Sequence, residues 1–593
     1  KIKPDEIKKL KKTVNENNII IRTYIIIIKT IQIINIFDQL IAYNKYNLLY
    51  FHQSYITLKI IGPGWNNFLG NDFNSNNYPN EIIINNKSCN LGNKYNFEQI
   101  DNYVELIWND NINSSAFMFS GCKNITEIDL SHFNTSNIIT MRAMFVNCSS
   151  LTNLNLSNID TSQVTNMGYM FQDCSSLVSL DFSYFNTPQI NFMKGMFSGC
   201  SSLAYLNLYN FDTSQVTNMR CLFYICSSLK SIELSSFNTS KVKDMAGMFY
   251  KCRSLESLNL SHFDTSQVID MFHMFVSCSK LKSLDLSHFD TSSVTIMARM
   301  FHSCSSFKSL NLSNFDTSKV YDMSLMFYNC LSLQSIELSN FNTSNANNTA
   351  SMFGFCSSLK SLDLSNFDTS SVVNLNSMFL YCSSLEYLNL LNFITTSVTN
   401  MGSMFYGCSN LTFLDLSSFD TSKVTYMRSM FYHCSSLKSI ELSSFNTSQV
   451  KDMAGMFYNC SKIESLDLSH FDTSQVTVLL HMFRYCSSLI SLNLTNFDTS
   501  NATNMAAMFQ NCSSLAFLDL SNFNTSGVTD MNSMFSNCSS LEYLNLKNFD
   551  GNKATTINDM FSNVPQNIVV CINRADKIAS EIIRQCINYY YLE

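Results

Sequence analysis

Cysteine recurs every 26 residues from Cys122 to Cys538, seventeen times without one insertion or deletion. A fixed period of roughly 20 to 50 residues marks a stacked-repeat architecture, in which each unit buries its apolar face only against its neighbours. A single core stops growing at about 250 to 300 residues, so a 593-residue chain needs several domains or an array, and the period selects the array. The unit reads F-[DN]-T-S-x-V-T-x-M-x-x-M-F-x-x-C-S-S-L-x-S-L-[DN]-L-S-x, as it does twice over residues 263–314. Positions below are counted from that Phe as 1.

Leucines at positions 19, 22 and 24, such as Leu281, Leu284 and Leu286, form the L-x-x-L-x-L of a leucine-rich-repeat strand. The last two share one face of that strand, and positions 21, 23 and 25 point the other way. Positions 6, 9, 12, 13 and 16 (Val268, Met271, Met274, Phe275 and Cys278) are spaced by threes and fours, which predicts a helix on the return half of the rung. Asp or Asn at position 2, followed by Thr-Ser, predicts the cap of that helix. Phe at position 1, where many leucine-rich repeats place Asn, predicts a stacked Phe column in place of an Asn ladder. The fold expected is therefore an α/β repeat solenoid. It is a leucine-rich-repeat horseshoe or rod with a concave parallel β-sheet, a convex helical side and about 17 repeats over residues 111–563. At about 4.8 Å per rung the sheet runs on the order of 80 Å. The segment from Cys226 to Cys278 is closely repeated from Cys434 to Cys486, so the array looks copied, which suits a display rod better than an active site.

The unit FDTSQVTNMxxMFxxCSSLxSLNLS resembles the 26-residue "surface protein" repeat of the BspA-like leucine-rich-repeat superfamily, a domain of unknown function, over roughly Asn111 to Asn563. The resemblance implies a secreted or membrane-displayed protein with adhesion as its role. It transfers no functional residue.

Residues 1–110 lack the period and read as an Ile-rich N-terminal cap with β strands, ending in Val104 to Trp108 as an irregular first rung. The apolar stretch Ile19 to Phe37 is interrupted by Arg22 and Lys29, so it reads as strands and not as a membrane span. Residues 564–593 read as a C-terminal cap. Val564 stands where Cys belongs, Pro565 stops the array, and a strand (Ile568 to Cys571) and a helix (Asp576 to Gln585) follow. Caps are expected because exposed terminal rungs need cover.

Composition excludes some functions. With 38 basic against 45 acidic residues and a net charge of -7, the chain lacks the basic stripe that a nucleic-acid binder needs. No Ser/His/Asp grouping, phosphate loop or His-Glu-x-x-His sequence appears, so neither catalysis nor a cofactor is expected. The cysteine column reads as buried free thiols, and Cys571 with Cys586 is the candidate disulfide. Outward strand positions form a Ser/Asp/Asn grid in which Asp415, Glu441 and Asp467 occupy consecutive rungs and are weak candidates for a hard cation. Aromatics break the grid at Tyr205 and Tyr209, at Tyr387 with Leu391 and the neighbouring Phe413, and at Phe517 with Tyr543. These seven residues are the candidate ligand contacts. The function expected is adhesion or recognition of a protein or glycan ligand through the concave face, at the cell surface or outside the cell. The alternatives are a subunit that self-associates into a fibre or coat and an intracellular scaffold.

Overall fold

The structure is a computed structural model that describes residues 54–572 and a few isolated positions on either side. Of residues 19–37, expected as strands, only Lys29, Thr30 and Ile33 are described, and all three are helical; of the helix expected over 576–585 only Ile578 and Ser580 are described, both helical; Cys586 lies outside the described residues.

The array is a parallel β-solenoid, and the expected helical side is absent from it. The rung from Phe263 shows why. Amides at positions 9, 11, 13 and 15 donate to the next rung: Met271 N to Ile296 O at 3.1 Å, His273 N to Ala298 O at 3.2 Å, Phe275 N to Met300 O at 2.9 Å and Ser277 N to His302 O at 2.8 Å. The amides between them close four-residue turns, Met274 N to Met271 O and Cys278 N to Phe275 O. A helix would need all of these donors within the rung, and half are spent between rungs. Positions 11 and 15 are also left-handed, with φ of 62° at His273 and 58° at Ser277, which no right-handed helix admits. Successive four-residue turns place apolar side chains at threes and fours, so they imitate helical spacing.

Asp264 at position 2 caps no helix either. Its Oδ1 accepts from Ser266 N at 3.0 Å, the side-chain turn that short carboxylates and amides build two residues on. Position 8 holds the continuous ladder: parallel bridges run rung to rung without a gap from Ser114 to Thr556. The leucine-rich strands, expected as one long sheet, instead pair in twos. Ser361–Asp363 pairs Tyr387–Asn389 and Phe413–Asp415 pairs Ser439–Glu441. Between residues 234 and 308 the strand side carries no strand. The curvature expected from a wide helical side loses its basis with the helix.

The core consists of columns. Phe at position 13 stacks ring on ring from Phe119 to Phe561, with centroids 5.3 Å apart at the tightest and 6.0 Å at the widest. The expected column at position 1 also stacks, more loosely, at 6.2 to 6.5 Å between Phe445 and Phe549. It does not replace an Asn ladder, because a buried Thr at position 3 does that: Thr369 Oγ1 donates to Ile394 O at 2.9 Å and accepts from Ile394 N at 2.8 Å. The seventeen column cysteines are buried free thiols. Each from Cys148 onward donates to the carbonyl of the position-13 Phe one rung back, as Cys382 Sγ does to Phe353 O at 3.1 Å.

Six strands precede the first rung: β1 (Ser54–Ile61), β2 (Gly64–Asn67), β3 (Glu81–Ile84), β4 (Lys87–Cys89), β5 (Lys94–Phe97) and β6 (Asp101–Trp108). With the first two repeat strands, β7 (Ile125–Asp129) and β8 (Asn153–Asn155), four of them form a sheet in the order β4-β3-β6-β1-β7-β8. Val104 to Trp108 is thus half of β6, antiparallel between β3 and β1, and not an irregular rung. The edge that rung one would leave open is taken by β1, antiparallel to β7. At the other end Val569–Ile572 pairs in parallel with Tyr543–Leu546. Among the described residues no helix is long and apolar enough to cross a membrane.

Candidate functional site

Every strand-side position 21 and 25 is a place where the fold asks for nothing, since the side chain points away from the columns. Ser fills most of them. The rung of Tyr387 does not follow this rule. Tyr387, Leu391 and Phe413 are exposed, at 56%, 71% and 56%, and line a recess of 340 Å³ together with Leu388, Leu390 and Asp415. A second recess of 560 Å³ shares Leu391 and Ser418 with the first and reaches Ile394. Leu391 is the ridge between them.

Ile394 is the residue that sequence reasoning missed. It occupies position 2, where neighbouring rungs place Asp368 and Asp420, whose carboxylates accept from Ser370 N at 3.0 Å and Ser422 N at 2.9 Å. An isoleucine cannot make that turn, yet the backbone around it keeps the buried Thr bonds. The rung has therefore replaced a turn-forming oxygen with an apolar side chain left 45% exposed. The signal was legible as FITTS among units that read FDTS or FNTS.

The other aromatics are placed less favourably. Tyr205 and Tyr209 are exposed on one rung, at 61% and 70%, and line neither of these two recesses. Phe517 and Tyr543 sit across a paired register and stack on each other at 5.7 Å, so part of each ring's contact surface is already used. Tyr543 Oη also lies 3.8 Å from Cys571 Sγ.

Asp415, Glu441 and Asp467 do not converge. Each turns back on its own rung, accepting from Ser417 N at 3.0 Å, Ser443 N at 2.9 Å and Ser469 N at 3.0 Å. Those serine hydrogen bonds hold all three carboxyls below the usual range. Among the described residues no three His, Cys, Asp or Glu side chains form a group able to hold a metal ion.

The cysteine column is chemically quiet. Burial raises every column thiol, as at Cys382 and Cys434, both pushed up to about 12. A thiolate is the reactive form, so these groups neither attack nor ligate at neutral pH.

A repeat with these columns and this unit matches the family model described as "Mycoplasma protein of unknown function, DUF285", in seven overlapping segments from 113–231 to 460–569. The chain belongs to this family. The DUF285 unit is the BspA-like leucine-rich surface repeat, so the match accounts for the whole periodic region. No curated protein matches the chain at a significant level. Among solved structures, a leucine-rich cell surface protein of Faecalibacterium prausnitzii is 20% identical, covers 50% of this chain and 86% of its own, and has a TM-score of 0.28. A leucine-rich-repeat protein of Eubacterium ventriosum is 14% identical over 70% of this chain and 85% of its own, with a TM-score of 0.23. The pneumococcal vaccine antigen PcpA is 13% identical over 72% and 85%, with a TM-score of 0.22.

Proposed function

We propose that this DUF285 chain is a non-catalytic recognition protein of the cell surface or exterior, which binds a protein ligand at Tyr387, Leu391, Ile394 and Phe413. The observation that carries this reading is the rung of Ile394. It gives up a turn-forming carboxylate and a surface serine for Ile394 and Leu391, a local cost without a gain in packing. Exposed aliphatic side chains beside two aromatic rings suit an apolar anchor of a protein partner better than a sugar ring. The inert thiol column fits an oxidising exterior, since thiols that cannot ionise cannot enter disulfide exchange.

The test is binding of the purified, fluorescently labelled chain to intact cells. Tyr387→Ala/Phe413→Ala is expected to weaken binding by about tenfold or more, as loss of a hot spot does, while Tyr205→Ala leaves it unchanged. Equal binding by the double variant and the parent chain overturns the patch. Filament growth with concentration, abolished by the same double variant, would instead make the patch a contact between copies.

A further inference from the structure

A recess of 970 Å³ lies at the join between the N-terminal sheet and the first rungs, away from the patch just described. Its floor is the solvent face of β6-β1-β7-β8. Because those strands are in register, one row across the sheet reads Glu105, Thr57, Asp129, Asn155, and the next reads Tyr103, Lys59, Glu127, Asn153. At about 4.8 Å per strand each row is about 14 Å long. The wall is the two-residue turn Asn85-Asn86, both left-handed, with φ of 49° and 65°. It is tied to β6 by Tyr103 N donating to Asn85 Oδ1 at 2.9 Å and by Asn85 N donating to Tyr103 O at 2.9 Å. Gln99 closes the same side.

The chemistry of the rows is mixed. Carboxylates accept, the Lys59 ammonium donates, and the amides of Asn85, Asn153 and Asn155 do both. Lys59 Nζ lies 3.4 Å from Glu127, so its charge is partly taken up within the recess. Tyr103, 59% exposed, presents an aromatic ring at one end of its row. Of the apolar residues that line it, Leu58, Val104 and Ile128 belong to the core and are at most 2% exposed, and Leu154 is partly buried. With Leu154 as its one partly exposed aliphatic side chain, the recess offers little apolar surface for a protein side chain to anchor in. It offers a polar trough with one ring to stack on, which suits hydroxyl-rich rings carrying donors and acceptors on every edge. Three carboxylates against one ammonium disfavour acidic rings.

We propose that this trough is a saccharide-binding site, which takes a short neutral oligosaccharide laid across the strands with one ring stacked on Tyr103. The site does not rest on the Tyr387 patch, and the two readings fail separately.

The test is calorimetric titration of the full chain with neutral probes (oligomers of glucose, mannose and N-acetylglucosamine), a uronic-acid oligomer and oligolysine. At least one neutral oligomer is expected to bind and the uronic-acid oligomer not to. Tyr103→Ala is expected to weaken that binding about tenfold, and Glu127→Gln to weaken it severalfold. Tyr387→Ala/Phe413→Ala is expected to leave it unchanged. Thermal unfolding of each variant separates lost binding from lost fold, and Asn153→Ala provides a second variant should Tyr103→Ala unfold. The proposal is overturned if no neutral oligomer binds, if oligolysine alone binds, or if folded Tyr103→Ala binds as well as the parent chain.

Discussion

The two sides of each rung are built differently. On the turn side the position-8 ladder runs unbroken from Ser114 to Thr556, flanked by the Thr, Phe and Cys columns, and every rung is tied to both neighbours. On the strand side the strands pair only in twos along the middle of the array, and no pairing joins Tyr387–Asn389 to Phe413–Asp415. Stability in a stacked array is a sum of neighbour interfaces, and the structure assigns those interfaces to the turns and columns. The strand side is left to hold side chains that the fold does not need, and there the recess lined by Tyr387, Leu391 and Phe413 opens.

That contrast has consequences of graded size. The largest concerns the thiols. In the unfolded chain they ionise around the ordinary value of 9.0, whereas burial holds Cys382 and Cys434 protonated up to about 12. A folded-state value raised above the unfolded one gives stability that is complete below pH 9 and is lost as pH climbs towards 12. Each column thiol in the unfolding unit contributes about 1.4 kcal/mol per pH unit to that loss. Urea unfolding midpoints at about pH 8 and about pH 10.5 should therefore fall steeply, and Cys382→Val should flatten the slope by one thiol's share. A midpoint that stays level over that interval would refute the quiet column.

Next comes a direct comparison of two phenylalanines. Phe353→Ala breaks the stacked column and should cost about 3 to 5 kcal/mol, while Phe413→Ala on the strand side should stay within about 0.5 kcal/mol. Similar losses from the two in urea melts would erase the distinction between the sides. Smaller again is Thr369→Val. It keeps the shape of a buried column residue and removes both the donor to Ile394 O and the acceptor for Ile394 N. Stranding those two backbone groups should cost about 1 to 3 kcal/mol. A neutral result would mean that the Thr column only fills space.

Much of this division can be read from the sequence, because a 26-residue period fixes which side chains share a column whatever the backbone does between them. The cysteine column, the exposure of Tyr387, Leu391 and Phe413, and their proximity all follow from position alone. The helical side is misread because the same threes and fours arise from four-residue turns. The available counter-signal was position 15, where Asn147, Gly199, Asn329 and Gly407 favour a left-handed backbone, but Ile225 and Tyr381 stand there too and blur it. At Gly407 the preference has a second cause, since an added Cβ would lie 2.5 Å from the Tyr381 ring. The trough at the N-terminal join was not legible at all. Thr57, Glu105 and Asp129 meet only through the pairing of β1 with β6 and β7, and no local pattern records that register.

The smallest effect sharpens the comparison from inside the core. At position 9, from Met141 to Met531, the residue is Met or Leu except at Thr349. Its side chain is fully buried, and its Oγ1 finds no hydrogen-bond partner. Position 6 of the same rung is Ala346 where most rungs place Val, so this rung brings less apolar volume to the stack on two counts. A buried hydroxyl without a partner carries its desolvation cost uncompensated. Thr349→Met should therefore stabilise the chain by about 1 kcal/mol, seen as a higher urea midpoint, because it removes the stranded hydroxyl and restores the thioether that adjoining rungs pack against. If the midpoint falls instead, the neighbouring Met323 and Leu375 have already closed over the smaller side chain. The columns would then be more adaptable than the unbroken turn-side ladder suggests.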